Sequence, residues 1–276
     1  GSPWSNELLV GLEREINRNF GVGLNFVHRR NTNFNWTHRI GEEGLSWIPV
    51  NDTIAGNNVT YYHPEEARSP FTVYQTRPDY TTTYTGGDVF LTKRFSDRWM
   101  ANASIALAFP KQNFPTAASY LDPTNIDRLD GQPLAAFGRN GAQGGAAAWS
   151  AKASGMYQLG GGLSLAGFML WRQGYFDSQN VLTASRPNGV GRVNVVVDER
   201  FGDTKLPNYI NFDLRAEKTF DVGQRGRIHL IADAFNLLNK GNVLGRINQQ
   251  NSSLYPRIRE VTQGRTIRLG LRLVLR

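Results

Sequence analysis

The sequence predicts an all-β protein: an antiparallel up-and-down transmembrane β-barrel with long extracellular loops. Three observations lead there. Apolar residues recur with period two, the alternating segments are about nine to ten in number and roughly 10–14 residues long, and the connections between them alternate short and long. Successive side chains of a strand point to opposite faces, so period two gives a sheet one apolar and one polar face. A strand of about 11 residues is about 36 Å long, and tilted near 45° it spans about 25 Å, the height of the apolar band in outer-membrane barrels.

The elements follow in chain order. Leu8, Val10 and Leu12 share a face, and the next segment answers with Phe20, Val22, Leu24 and Phe26. Val89, Leu91 and Phe95 oppose Asp88, Thr92 and Arg94. Trp99, Ala101, Ala103, Ile105 and Leu107 oppose Asn102 and Ser104. Trp149, Ala151, Ala153, Gly155 and Tyr157 oppose Ser150, Lys152, Ser154 and Gln158, and Leu163, Leu165, Gly167, Met169 and Trp171 line one face of the following segment. Ile210, Phe212, Leu214 and Ala216 alternate with Asn211, Asp213, Arg215 and Glu217. Ile228, Leu230, Ala232 and Ala234 oppose His229, Ile231, Asp233 and Phe235. The last segment is the cleanest: Ile267, Leu269, Leu271, Leu273 and Leu275 alternate with Arg268, Gly270, Arg272, Val274 and Arg276.

Short turns fall at Asn17–Asn19, Ser96–Arg98, Gly160–Gly162 and Asp221–Gly226, and long connections at Asn31–Asp79, Pro110–Ala147, Phe176–Pro207 and Asn239–Gly264. Strict alternation puts every long loop at one end. Phe20, Phe95, Trp99, Tyr157 and Phe220 flank the short turns, while Trp149, Trp171, Tyr175 and Tyr209 sit at the opposite strand ends, where amphipathic rings form belts at both membrane interfaces. A soluble β-sandwich or adhesin domain also alternates, but its strands are shorter and its loops less polarised.

Composition narrows the functional classes. Without cysteine, the chain has no disulfide, thiolate metal site or cysteine nucleophile. No apolar run approaches the roughly 18 residues of a membrane-crossing helix. The net charge of +8 is spread along the chain, and the loop rings lack a repeated basic partner, so no nucleic acid is expected as a partner. His229 and Asp233 share a face but lie about 13 Å apart along a strand, too far for a catalytic pair. His28 is read as ending a strand and His38 and His63 as loop residues, with no metal-ligand spacing. Asp122–Gly131 lacks the spacing of a calcium loop, and Gly138–Gly145 lacks the ending of a phosphate-binding loop. No enzyme activity, metal or cofactor is expected.

The candidate functional residues are those of a two-faced wall. Ile210, Phe212, Leu214, Ile267, Leu269, Leu271, Leu273 and Leu275 are expected to face lipid. Asn211, Asp213, Arg215, Glu217, Asp233, Arg268 and Arg272 are expected to face the lumen, pairing charges across neighbouring strands or contacting a passing solute. In the first long loop, Trp36, Trp47, Tyr61 and Tyr62 are candidate ligand contacts, although self-packing of these rings is favoured because large exposed apolar patches are uncommon.

Several stretches carry a family resemblance. Tyr84–Phe95 (YTGGDVFLTKRF), Asn208–Phe220 (NYINFDLRAEKTF) leading into Ile228–Asn239 (IHLIADAFNLLN), and the alternating strand Thr266–Arg276 resemble the C-terminal part of TonB-dependent outer-membrane receptors. The closest flavour is the Oar-like receptors with a carboxypeptidase-regulatory-like N-terminal domain. The resemblance implies a 22-stranded barrel closed by an N-terminal plug, with residues 1–276 its C-terminal part and the plug and N-terminal domain absent. It implies residence in the outer membrane of a Gram-negative bacterium and energised import of a scarce nutrient. The implied partners are outer-membrane lipid and lipopolysaccharide, the missing plug, the TonB complex reached through it, the barrel assembly machinery, and a small-molecule, glycan or peptide substrate. The family usually ends in an aromatic residue, whereas this chain ends in Arg276. A non-transporting adhesin or a passive porin is the alternative.

Overall fold

The computed structural model describes residues 2–40, 45–77, 80–113, 122–129 and 147–275, the side chains of Leu129 and Arg225 excepted. The glycine-rich stretch 138–145, residues 130–131 of the 122–131 stretch, and Arg276 lie outside the described residues.

Among the described residues, nine long strands form one antiparallel sheet. They are β1 (Trp4–Asn17), β2 (Phe20–Thr32), β7 (Thr81–Ser96), β8 (Trp99–Asn113), β9 (Trp149–Gly160), β10 (Leu163–Arg172), β13 (Tyr209–Asp221), β14 (Gly226–Phe235) and β17 (Thr266–Leu275). The sheet order is β1-β2-β7-β8-β9-β10-β13-β14-β17, so each long strand pairs with the next in the chain. This is the expected up-and-down meander. β7 and β8, at 16 and 15 residues, exceed the expected length, because their pairing continues past the apolar band to Thr81–Asn113.

The short turns carry the backbone chemistry that a two-residue reversal requires. Asp97 and Arg98 both have positive φ, 51° and 72°, as a hairpin turn matched to strand twist demands. Asn17 Oδ1 accepts hydrogen bonds from the amides of Asn19 and Phe20, at 2.9 and 3.1 Å. Between β9 and β10, Gly162 has φ +76° and stands where a Cβ would meet Thr219 O at 2.3 Å. Only glycine fits that approach.

Among the described residues, each long connection carries secondary structure of its own. The first holds two hairpins, β3 (Phe34–Arg39) with β6 (Thr72–Arg77) and β4 (Trp47–Ile54) with β5 (Asn57–Pro64). The second holds one helical turn, α1 (Ile126–Leu129); the third pairs β11 (Asn180–Leu182) with β12 (Asn194–Val196); the fourth pairs β15 (Val243–Arg246) with β16 (Ile258–Val261). The histidine expectations are corrected accordingly. His38 and His63 lie in β3 and β5, and His28 lies within β2, which runs on to Thr32 because β2 stays paired to both neighbours there.

The buried apolar core lies in these connections, not in the wall. Val59, Tyr61, Val181 and Val195 pack together, with Val50, Ile54, Val193 and Val197 around them. The first and third connections thus share one core. The wall has its large aliphatic side chains exposed instead.

Candidate functional site: the two faces of the wall and the loop cap

Register decides which side chains share a face. Leu214 stands opposite Ala234 and Ala234 opposite Ile267; Ala216, Ala232 and Leu269 form the next row, then Lys218, Leu230 and Leu271, then Phe220, Ile228 and Leu273. Trp171 and Met169 extend the face beside Ile210 and Phe212. Farther along, Leu12, Leu24, Val89, Ile105 and Ala151 share one row across five strands. The structure therefore brings Ile210, Phe212, Leu214, Ile267, Leu269, Leu271, Leu273 and Leu275 onto one continuous apolar face.

The seven polar candidates occupy the other face. Asp233 lies between Arg215 and Arg268 in one row of three strands. Arg215 Nε donates to Asp233 Oδ1 at 2.6 Å, and Arg268 donates to Asp233 Oδ2 through Nη2 at 2.7 Å and Nε at 2.9 Å. One carboxylate thus clamps two guanidiniums and ties β13, β14 and β17 together. Glu217 Oε1 accepts from Arg272 Nη2 at 3.1 Å and contacts His229 Nδ1 at 2.8 Å. These charge-assisted contacts run across neighbouring strands of the wall, and Asp213, Arg215, Asp233 and Arg268 line an open hollow on that face.

Asp213 has a different role. Its Oδ1 accepts from Asn211 Nδ2 at 2.9 Å and from the backbone amide of Asn236 at 2.8 Å. Asn236 and Asn239 both have left-handed backbones, φ 49° and 51°. Asn236 Nδ2 donates to Lys240 O and Gln263 O, and Asn239 Oδ1 accepts from the Arg265 amide. The DAFNLLN phrase is therefore a structural corner: asparagine tolerates the left-handed region, and its side chain replaces lost ladder hydrogen bonds.

The loop aromatics separate. Tyr61 is 8% exposed and belongs to the valine core, which corrects its candidacy as a surface contact. Trp36 stacks on His38 with ring centroids 4.9 Å apart, and Arg77 lies over the Trp36 ring at 4.6 Å. Arg68 lies over the Trp47 ring at 5.9 Å, and the Tyr62 amide donates to Thr124 Oγ1 at 3.0 Å.

Two groups escaped the sequence reading. Lys93 and Lys218 stand on the apolar face beside the short turns. Lys93 Nζ donates to Ser96 Oγ at 2.5 Å and Arg94 O at 2.8 Å and lies 4.5 Å from the Trp99 ring; Lys218 Nζ donates to Gly161 O at 2.6 Å and lies 5.4 Å from the Phe220 ring. A long stem crossing apolar surface with its head tied to polar turn atoms is snorkelling. The signal was present as Lys-x-Phe before two turns, Lys93 with Phe95 and Lys218 with Phe220.

Arg186 is the other. It is buried and donates to Asp122 Oδ2 at 2.6 Å, Tyr62 O at 2.5 Å and Gly191 O at 3.1 Å, locking three long connections together. The fourth joins through Gln250 Oε1, which accepts from Asn57 Nδ2 at 2.7 Å, and Asn251 Nδ2, which donates to Leu182 O at 2.7 Å. The described parts of the four connections are thus joined into one cap on one end of the wall. No cluster of metal-ligating side chains exists among the described residues.

No family model and no curated protein matches the chain. Solved structures do. The outer membrane transporter YddB from Escherichia coli aligns with a TM-score of 0.54 at 16% identity, over 98% of this chain and 32% of that one. FpvA of P. aeruginosa, solved with heterologous pyoverdines, aligns at 0.53 and 10% identity, over 97% of this chain and 26% of its own. The fold is that of part of the β-barrel in these solved structures. The ferric enterobactin receptor PfeA from Pseudomonas aeruginosa agrees, with a TM-score of 0.50 at 15% identity over 98% of this chain and 31% of that chain. The chain spans between about a quarter and a third of the length of the solved structures it matches. The all-β, up-and-down barrel reading agrees with these neighbours.

Proposed function

We propose that this chain supplies wall strands and external loops to a TonB-dependent receptor that imports a scarce nutrient across the outer membrane. The observation carrying the proposal is the pairing of a two-faced nine-strand meander with a cap in which described parts of the four long connections are joined at one end. The neighbours named as a transporter and as a receptor for a ferric ligand support the same reading.

In this reading the leucine face meets lipid and the Asp213–Asp233–Glu217 face lines the lumen. Backbone groups at membrane depth must all be paired, so the free edges of β1 and β17 are completed by other strands of the barrel. The cap captures substrate outside, the lumen wall guides it, and a plug domain, moved through TonB, admits it. The charge clamps at Asp233 and Glu217 stiffen the wall, because cross-strand pairs contribute little individually, about 0.2–1 kcal/mol each, but fix register.

The test is uptake by cells carrying the intact receptor, with TonB present or deleted. Nutrient-limited growth that depends on both receptor and TonB is the expected result. Uptake that persists without TonB would make the barrel a passive porin, and surface attachment without any uptake would make it an adhesin.

A further inference from the structure

The third and fourth connections enclose a polar cavity of about 210 Å³ that none of the contacts above uses. Phe176, Asp177 and Leu206 line it from the β10–β13 side; Arg246, Gln249 and Arg259 line it from the β14–β17 side. The two sides are fixed to each other. Asn248 Nδ2 donates to Ser178 O at 2.9 Å, the Asn180 amide to Asn248 O at 3.0 Å, and the Gln250 amide to Asn180 O at 2.8 Å.

The charges inside this frame are unmet. Asp177 is 8% exposed, yet no side-chain hydrogen bond or ion pair among the described residues uses its carboxylate. Burial pushes its pKa up, the charge of Arg246 pulls it down, and Asp198 pushes it up. Arg246 lines the same cavity as Asp177, and no ion pair joins the two. Arg246 Nε is itself buried without a hydrogen-bond partner. Arg259 is exposed at the same cavity and has no acid paired with it among the described residues. The Asp177 carboxylate opens onto the cavity and the Arg246 Nε is buried without a partner, an arrangement that costs free energy unless something joins them.

The joining group must offer a cation to Asp177 and an anion to Arg246 and Arg259. An anion alone would place a second negative charge beside Asp177. A cation alone would meet two guanidiniums. A neutral polyol would hydrogen-bond but leave both charges uncompensated. The buried Phe176 and Leu206 supply an apolar wall beside the charges. We infer that this cavity is a binding site for a small zwitterion, a free α-amino acid with an apolar side chain, its ammonium on Asp177 and its carboxylate on Arg246 and Arg259. The inference concerns the cap alone and holds whether or not the barrel imports anything.

The experiment is calorimetric titration of the intact detergent-solubilised protein with L-leucine, N-acetyl-L-leucine and L-leucinamide. L-leucine is expected to bind saturably. The acetylated compound, which lacks the ammonium, and the amide, which lacks the carboxylate, are expected to bind about tenfold or more weakly, the scale of one lost charge-assisted contact. Asp177→Asn and Arg246→Gln should each weaken L-leucine by a similar factor. Heat-modifiable gel mobility of the same samples reports the barrel separately, so an unfolded barrel is not mistaken for an empty site. Equal affinity for the three compounds, or no saturable binding of L-leucine by the folded wild-type protein, would overturn the inference, and the comparison on wild type stands even where a variant fails to fold.

Discussion

The wall and the cap are both β-structure, yet they are held by opposite means. In the wall, Leu269, Leu271 and Leu273 are exposed, and order comes from ladder hydrogen bonds and charge clamps on the other face. In the cap, Val181 is fully buried, and order comes from a small valine core and from side chains that bind distant backbone, such as Arg186 and Asn125. A sheet that borrows its apolar solvent from a bilayer has no need of an interior. A cap standing in water must build one.

The largest effect should come from Leu271→Arg. A guanidinium on the lipid face near mid-depth costs about 2–4 kcal/mol and should remove most folded protein from outer-membrane fractions. If Leu271→Arg assembles normally, the leucine face does not meet lipid and the contrast between the regions collapses.

Next is Val181→Ala, which opens the cap core and should destabilise it by roughly 2 kcal/mol. The wall should stay intact. Limited proteolysis should cut the β10–β13 connection faster while heat-modifiable mobility of the barrel is unchanged. Loss of the barrel as well would show that the two regions fold as one unit.

Arg272→Glu should do less. The pair with Glu217 is more than half exposed on the Arg272 side, so its loss should cost about 1 kcal/mol or less and leave assembly near wild type. Set beside Leu271→Arg, it measures how differently neighbouring residues of β17 behave when they point to opposite faces. Equal damage from both would sink the facing assignment.

This contrast also explains what the sequence disclosed. Period two needs only nearest neighbours, so Ile267 to Leu275, Ile210 to Leu214 and the row from Asn211 to Glu217 were legible, and the register then joined them as expected. The cap was not legible, because its partners are far apart in the chain. Arg186 meets Tyr62 at a separation of 124 residues and Asn57 meets Gln250 at 193. No local pattern encodes such contacts. Self-packing is the favoured reading of Tyr61, but its partners Val181 and Val195 belong to another loop and no local pattern names them. Lys93 and Lys218 broke the alternation and were passed over, although their position before an aromatic and a turn carried the explanation.

The smallest effect, and the one confined to the cap, concerns pH. Asp177 lies outside the wall strands, and burial, the largest influence on it, raises its pKa. A carboxyl raised in the folded state stabilises fold while protonated, and that contribution is lost as pH rises through the raised value. Acidification from neutral pH should therefore tighten the cap by this group, the reverse of the usual carboxylate behaviour. Hydrogen exchange of the β11 and β12 amides, corrected for intrinsic rates, should show greater protection at the lower pH in wild type. Asp177→Asn should flatten that dependence and raise protection at neutral pH, because the amide has no charge to bury. The same substitution is expected to abolish selectivity for an ammonium in the cavity. A cap that gains protection while losing its ligand would show that Asp177 is kept at the expense of stability, for what it binds. Greater protection in wild type at neutral pH than in Asp177→Asn would instead mean that the carboxylate has a stabilising partner in the folded cap.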